Sequence, residues 1–204
     1  MTDSSQARNR STVEGYEHCA RDYAAKVSQQ PSDFAAGVLR RFVDTLPENS
    51  QVLEIGSGPG WDADFLETLG VTVRRTDAAA AFREFQIERG KQAEAFDLLT
   101  DEIDRAYAGI VLLYVFQHFE RTHADSLLSK LARGLDDGGT LLMSHCLGED
   151  ESWEHAESGD YLVVRWSPAA LDERLRQAGL EVTWETSFVG SEEPWRLLLA
   201  RKRG

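Results

Sequence analysis

The chain has 204 residues, of which 42% are hydrophobic and 28% are charged, a composition typical of a globular protein. This length suits one domain with a core of its own. The 35 Asp and Glu residues outnumber the 22 Lys and Arg residues, which gives a net charge of −13. Because so acidic a surface repels phosphate backbones and anionic lipid, the charge argues against nucleic-acid and membrane partners.

The two cysteines and the first residues of the chain indicate in which cellular compartment the protein is expected. Cys19 and Cys146 are far apart and form no metal-binding spacing, so we expect neither a disulfide framework nor a metal site. Reduced thiols fit a cytoplasmic protein. No apolar run approaches the ~20 residues of a membrane span, and the polar start is not a secretory signal. We expect a mobile tail over residues 1–11 and a single domain over 12–204.

The hydrophobic pattern predicts two helices, over about 12–29 and 32–46, and then an alternation of strands and helices. Strands are predicted at 51–55, 71–75, 93–96, 107–115, 140–146, 180–189 and 195–201. Helices are predicted at 61–69, 77–89, from 122 onward and after Pro168. Residues 148–160 are polar and are expected to be irregular, and 161–166 is a short β-like run.

This order is typical of an α/β protein. It predicts a Rossmann-like, doubly wound sheet of seven strands, with helices on both faces. The sheet is expected to be mostly parallel, with an antiparallel last strand that forms a hairpin with the strand before it. A ligand is expected beyond the carboxyl ends of the strands.

The most informative segment is the turn Gly56-Ser-Gly-Pro-Gly60, between the first predicted strand and the next helix. Glycines there let the backbone bend sharply and approach a ligand closely. A dinucleotide-binding fingerprint would need its third glycine where the chain has Trp61. This difference counts against an NAD(P)-dependent oxidoreductase, which stays open as an alternative, as does a turn with a purely structural role.

Together with Glu54, this turn resembles the first motif of the class I S-adenosylmethionine-dependent methyltransferases, of the small-molecule type (methyltransferase domains 11, 12 and 25). The resemblance extends from Tyr16 to the C-terminus. It implies S-adenosyl-L-methionine as the cofactor and S-adenosyl-L-homocysteine as the product. In this family the turn wraps the methionyl and ribose parts of the cofactor, and the residue matching Glu54 supports the turn or contacts the methionyl amine.

Two acidic positions extend the resemblance. Asp77 ends the second predicted strand, about 20 residues after the first glycine. A carboxylate there accepts hydrogen bonds from ribose hydroxyls, and it can also cap the next helix. The resemblance makes Asp97 the candidate for the family's acidic residue at the adenine amino group, with Leu98 against the base; Asp101, Glu102 and Asp104 are nearby acidic residues. The implied cofactor site consists of Tyr23, Glu54, Gly56, Ser57, Gly58, Gly60, Asp77, Ala78, Asp97, Leu98 and Leu113.

Residues near the ends of the fourth and fifth strands are expected to align the acceptor and remove its proton. The fourth strand lacks the signatures of base-methylating families, Asp/Asn-Pro-Pro-aromatic or a cysteine. The strand is followed by Gln117 and His118. This resembles the small-molecule methyltransferases, in which a histidine often follows the fourth strand. His118 is a candidate general base, or it fixes the strand–helix connection. His145 is the second catalytic candidate, with a polar strand end as the alternative.

Two segments are expected to close the site: the helices of 12–48 over the cofactor, and residues 149–166 as a lid over the acceptor. The acceptor-binding candidates are Tyr16, Trp153, Tyr161 and Arg165. Plain packing is the alternative for Tyr16 and Tyr23, and a core anchor is the alternative for Trp153.

The sequence as a whole therefore predicts a methyltransferase that uses S-adenosylmethionine to methylate oxygen or nitrogen of a small molecule, without a metal, as a monomer or homodimer. A non-catalytic S-adenosylmethionine-binding protein of the same fold is a further alternative.

Overall fold

The computed structural model describes residues 3–156, 159–190 and 193–204, with side chains described outside 3–9 and 155–159. The helices are α1 (Asp3–Lys26), α2 (Asp33–Val43), α3 (Trp61–Thr68), α4 (Ala80–Glu88), α5 (Ala124–Arg133) and α6 (Pro168–Gln177). The strands are β1 (Gln51–Ile55), β2 (Thr72–Asp77), β3 (Ala93–Ala95), β4 (Tyr107–Leu112), β5 (Leu135–Leu147), β6 (Glu151–Ala156), β7 (Gly159–Trp166), β8 (Leu180–Val189) and β9 (Pro194–Lys202). Two short 3₁₀ turns, Phe116–His118 and Arg121–His123, connect β4 to α5.

The predicted sheet is confirmed. Strands β3, β2, β1, β4 and β5 lie side by side in that order and are parallel. Strand β9 pairs antiparallel with β5, and β8 pairs antiparallel with β9. Since β8 consequently runs in the direction of the first five strands, β9 alone of these seven is antiparallel, and β8 and β9 form the expected hairpin.

The sheet carries a second hairpin that the sequence pattern did not predict. Residues 151–156, expected to be irregular, form β6, which pairs antiparallel with β7. Strand β7 joins the end of β5 through the pairs Cys146–Arg165 and Leu147–Trp166. Most residues of this segment, Glu-Ser-Trp-Glu-His-Ala, are polar and show no apolar alternation, so the hydrophobic pattern gave no signal.

Helix α1 begins at Asp3, nine residues before its predicted start at Thr12. The first nine helical residues are polar or small, DSSQARNRS, and make no apolar stripe. Periodicity therefore detects only the later part of α1, where Ala20 and Ala24 are buried.

The core lies on both faces of the sheet, as a doubly wound fold requires. Successive residues of β4 point to opposite faces: Ile110 joins the cluster under α5 and α6, and Val111 joins the cluster under α2. Gly109 lets α2 approach, because a Cβ there would lie 2.5 Å from the Phe42 ring. Within the described residues, no helix is long and apolar enough to cross a membrane.

Candidate active site

A cavity of about 270 Å³ opens at the carboxyl ends of β1, β2 and β4, and α1 forms one of its walls. Its size is near the lower end of pockets that hold one small ligand. Of the predicted site residues, those lining the cavity are Tyr16, Tyr23, Gly56, Ser57, Gly58, Asp77, Ala78, Asp97, Leu98, Leu113 and His118.

The glycine turn has the conformation that its residues predict. Gly56 and Gly60 have φ angles of 71° and 83°, in the left-handed region that disfavours side chains. A Cβ on Gly56 would lie 2.3 Å from Val115 Cγ2, and one on Gly60 would lie 2.5 Å from Gln86 Oε1. The position of Gly56 therefore favours glycine for space as well as for backbone angle, and that of Gly60 favours it for backbone angle.

Side chains from β2 and α4 hold the turn from behind. The Gln86 amide donates to the carbonyl of Gly58 and to Ser57 Oγ, each at 2.8 Å. Arg89 donates to the Pro59 carbonyl at 2.6 Å, and Arg75 donates to the Gly60 carbonyl at 3.3 Å. Three successive carbonyls are thus bound by side chains distant in sequence, which no local motif indicated.

Asp77 connects the glycine turn to the start of α4. One carboxylate oxygen accepts from Gly58 N at 2.8 Å, and the other accepts from Ala79 N at 2.8 Å. Burial raises the pKa of Asp77 to about 6, although both hydrogen bonds act to lower it. Both roles predicted for Asp77, at a helix start and at the cavity, fit this position.

Asp97 and Leu98, which were predicted to contact the adenine, follow the end of β3. Asp97 Oδ1 accepts from Leu99 N at 2.9 Å, which fixes the carboxylate in the turn after the strand. Leu98 is almost fully buried, and both residues line the cavity. Phe119, which follows the turn after β4, lines the same cavity.

Glu54 and Gly60 do not line the cavity, although both were predicted to bind the cofactor. The Glu54 side chain is buried, and burial raises its pKa well above the usual range. Its Oε2 atom has no hydrogen-bond partner among the described residues. Gly60 is the residue before α3 and faces Gln86. Both positions therefore lie outside the residues that line the cavity.

His118 is held in one orientation by three neighbours. Its Nδ1 lies 2.8 Å from the Leu162 carbonyl, to which it donates, so Nε2 is the acceptor. Nε2 lies 3.1 Å from Tyr16 Oη and 3.1 Å from Gln117 Nε2. Burial lowers the pKa of His118 to about 4, so the imidazole is neutral near pH 7. Burial likewise raises the pKa of Tyr16.

His145, the second predicted catalytic residue, does not reach the cavity. It is fully buried, its Nδ1 lies 3.0 Å from the Cys146 carbonyl, and burial lowers its pKa to about 4. Strand β5 continues to Leu147, so His145 lies within the strand rather than at its end. Its charged neighbours are Arg196, Asp172 and Glu185, and Arg196 forms ion pairs with both carboxylates.

The expected lid is the β6–β7 hairpin, and one of its three predicted residues approaches the cavity. The Tyr161 ring lies 5.9 Å from the His118 ring, edge to face. Trp153 is 39% exposed and does not line the cavity. Arg165 is bound by acidic side chains outside the cavity, namely Asp150, Glu154 and Glu193.

Helix α1 is fixed against the cavity by a helix cap that the sequence did not reveal. The Glu17 carboxylate accepts from Ala80 N at 2.5 Å and from Ala81 N at 2.8 Å. These amides belong to the first turn of α4 and have no partner within that helix. Arg21 of α1 also pairs with Glu88 of α4.

Among the cavity residues that sequence reasoning missed, Asp62 and Tyr114 are the ones with ionisable side chains. Tyr114 follows β4 with a φ of 58°, an unfavourable value outside glycine, and its N donates to Ser144 Oγ at 2.7 Å. Its ring lies 4.9 Å from the Trp195 ring. No group of three or more metal-ligating side chains occurs in the described part of the chain.

The sequence profile of the methyltransferase-domain family matches residues 26–185, and the chain belongs to that family. No curated protein matches the sequence significantly.

Solved structures of similar fold include DhpI in complex with S-adenosylhomocysteine, which is 19% identical with a TM-score of 0.75 over 99% of each chain. The 1,6-didemethyltoxoflavin-N1-methyltransferase of Burkholderia thailandensis is 16% identical, with a TM-score of 0.71 over 93% of this chain and 84% of the other. The [4+2]-cyclase SpnF is 13% identical, with a TM-score of 0.69 over 92% and 93%.

Proposed function

We propose that this protein is an S-adenosylmethionine-dependent methyltransferase that methylates oxygen or nitrogen of a small molecule. The observation that carries the proposal is a single cavity that joins the glycine turn, Asp77 and the Asp97–Leu98 pair at the carboxyl edge of the sheet. In an open α/β sheet this edge is where nucleotide ligands bind.

The residues present fit the cofactor. Asp77 would hold the ribose hydroxyls, because each carboxylate oxygen keeps a lone pair beyond the one used by the backbone. Asp97 and Leu98 would hold the adenine, with Ala78 and Phe119 as further apolar walls. The glycine turn brings backbone atoms close to the ligand without an intervening Cβ.

The bound cofactor would supply an electrophilic methyl group, so the protein's own contribution is alignment of the acceptor and management of its proton. The low pKa of His118 makes it a weak base near pH 7, and its Nε2 already accepts from Tyr16 and Gln117. We therefore propose His118 as a positioning residue that orients the Tyr16 hydroxyl in the cavity. In this arrangement the Tyr16 hydroxyl is the group that contacts the methyl-accepting substrate.

Several observations support a small-molecule acceptor. The cavity is small, and the net charge of −13 disfavours polyanionic substrates. The Burkholderia neighbour is named for methylation of a small heterocycle. These features also favour the methyltransferase over the oxidoreductase alternative.

The test is a methyl-transfer assay with methyl-labelled S-adenosylmethionine and a panel of phenols, amines and carboxylic acids. We expect S-adenosylhomocysteine to form only when an acceptor of one of these classes is present. Tyr16→Phe should lower kcat about 10-fold or more, the usual effect of losing one positioned polar group. Cofactor binding without turnover on any acceptor would support the non-catalytic alternative, and NAD(P) reduction would support an oxidoreductase.

A further inference from the structure

We propose that Tyr114 and the row of aromatic side chains next to it bind an aromatic ring of the methyl acceptor at the mouth of the cavity. This inference rests on the proposed function and narrows its substrate class from small molecules to aromatic ones. It gives a role in substrate specificity to residues that the sequence pattern did not single out.

Tyr114 lies where the cavity opens to solvent. It lines the cavity, and 39% of its surface is exposed. Its φ of 58° is unfavourable outside glycine, and the hydrogen bond from its backbone N to Ser144 Oγ holds this conformation. Backbone strain that neighbouring groups maintain in this way is concentrated at ligand-binding positions. The conformation of Tyr114 therefore points to a ligand beside its ring.

A row of aromatic rings, here called the aromatic ridge, leads from Tyr114 away from the cavity. The Tyr114 ring lies 4.9 Å from the Trp195 ring, edge to face. Trp195 of β9 is paired with Phe188 of β8, so their side chains lie on the same face of the sheet. The Phe188 ring lies 5.4 Å from the ring of Phe34, at the start of α2. The aromatic ridge consists of Tyr114, Trp195, Phe188 and Phe34.

The aromatic ridge is accessible along its length. Phe34, at its far end, is 44% exposed, and Phe188 and Trp195 are both partly exposed. Val189, directly after Phe188, is among the exposed large hydrophobic side chains as well. Contiguous apolar surface that stays exposed on a folded protein marks a binding site.

The size of the cavity makes the methyl acceptor the occupant of this surface. A cavity of about 270 Å³ is near the lower end of those that hold one small ligand. Under the proposed function the cofactor fills it, so the acceptor must extend through the mouth, where Tyr114 lies.

The chemistry of the surface favours an aromatic ring over a charged group. The four side chains of the aromatic ridge carry no charge, and neither Lys nor Arg occurs among the described residues that line the cavity. An anionic group would therefore lose its hydration there without gaining a partner. An aromatic ring instead gains offset or edge-to-face contacts with the rings already present.

The experiment compares two alcohols by calorimetry: 2-naphthol, which is aromatic, and decahydro-2-naphthol, its saturated analogue. The protein is saturated with S-adenosylhomocysteine, which has no methyl group to transfer, so binding is measured without turnover. We expect the wild type to bind 2-naphthol about 3- to 10-fold more tightly than decahydro-2-naphthol, the range for a contact between aromatic rings.

The variants separate the ring of Tyr114 from its other properties. Tyr114→Leu should abolish the preference for 2-naphthol, and Tyr114→Phe, which keeps the ring, should retain it within about twofold. Both variants should bind S-adenosylhomocysteine as the wild type does, which also shows that they fold. The matched control is Trp153→Leu, because Trp153 is equally exposed but does not line the cavity. It should leave the preference unchanged.

Three results would overturn the inference while leaving the proposed function intact. The first is a wild-type complex without a preference for 2-naphthol, including one that binds neither alcohol. The second is an unchanged preference in Tyr114→Leu. The third is a loss of S-adenosylhomocysteine affinity in Tyr114→Leu as large as the loss for 2-naphthol, which would place the ring against the cofactor. If the wild type did not bind S-adenosylhomocysteine, the proposed function itself would fail, and the inference with it.

Discussion

Burial shifts the titratable side chains of the cavity towards their neutral forms. Burial raises the pKa of Asp62 and of Asp77 to about 6 and lowers the pKa of His118 to about 4. The carboxylates face a cavity with no Lys or Arg among its described lining residues, and the imidazole is enclosed by Tyr16 and Leu162. Desolvation is the largest cause of each of these pKa shifts. A substitution at the shifted residue itself therefore tests each one.

Asp62→Asn should stabilise the protein near neutral pH. The pKa of Asp62 is higher in the folded state, about 6, than its usual 3.8, so ionisation of this group opposes folding. The variant should gain on the order of 1–3 kcal/mol in free energy of unfolding at pH 7. Urea unfolding at pH 7, 6 and 5 measures the gain, which should shrink as the pH falls from about 6 towards 4. A gain that is absent, or that grows in acid, would contradict the burial of this carboxylate.

His118 should remain neutral across the physiological range. Because its folded-state pKa is about 4, below the usual 6.5, its contribution to stability is complete above pH 6.5 and is lost as the pH falls towards 4. Proton NMR of the imidazole, assigned by comparison with His118→Gln, should give no inflection between pH 5.5 and 8. An inflection near pH 6.5 would restore the histidine as a candidate general base.

The residues that the sequence predicted correctly as cavity residues belong to local patterns. Gly56, Gly58 and Asp77 follow from a turn and from the strand beside it. Asp62 looks like any acidic residue of a helix start, and Gln86 shows its role only through contacts 28 and 29 residues away. Spacing cannot indicate a role that depends on which side chains remain unpaired after folding.

At the scale of elements, α1 determines how the cavity is closed. It packs against α4 and β7, and it carries Tyr16 and Tyr23 into the cavity wall. The Glu17 cap joins α1 to the start of α4, beside Asp77 and Ala79. A carboxylate at a helix N-terminus satisfies free amides and interacts favourably with the helix dipole.

Glu17→Ala should loosen this closure. We expect a loss of about 1–2 kcal/mol in free energy of unfolding, and faster hydrogen exchange at the Ala80 and Ala81 amides, which lose their acceptor. The control is Glu14→Ala, an exposed residue of the same helix. Exchange at the two amides that is equal in both variants would contradict the capping role.

Element boundaries were predictable where hydrophobic periodicity extends through the whole element. Strands β1 and β8 match their predicted bounds, Gln51–Ile55 and Leu180–Val189. The polar strand β6 and the polar start of α1 gave no such signal. His145 was misplaced because the last residues of β5 are paired with β9, so that His145, opposite Arg196, lies inside the sheet.

At the scale of the molecule, the parallel sheet was predictable because it follows from the order of strands and helices. That order brings the carboxyl ends of β1, β2 and β4 to one edge, which is why residues distant in sequence were expected at one site. The closure of the cavity by α1 depends on packing between distant segments. The pairing of His118 with Tyr16, 102 positions apart, is of this kind.

The measurement that tests the central claim most directly is calorimetric binding of S-adenosylhomocysteine, with NAD as the competing ligand, to the wild type and to Asp77→Ala. Asp136→Ala, on an exposed residue, is the matched control. We predict micromolar binding of S-adenosylhomocysteine to the wild type and the control, strong loss in Asp77→Ala, and no binding of NAD. Preference for NAD, or binding that does not depend on Asp77, would contradict the assignment of this cavity to S-adenosylmethionine.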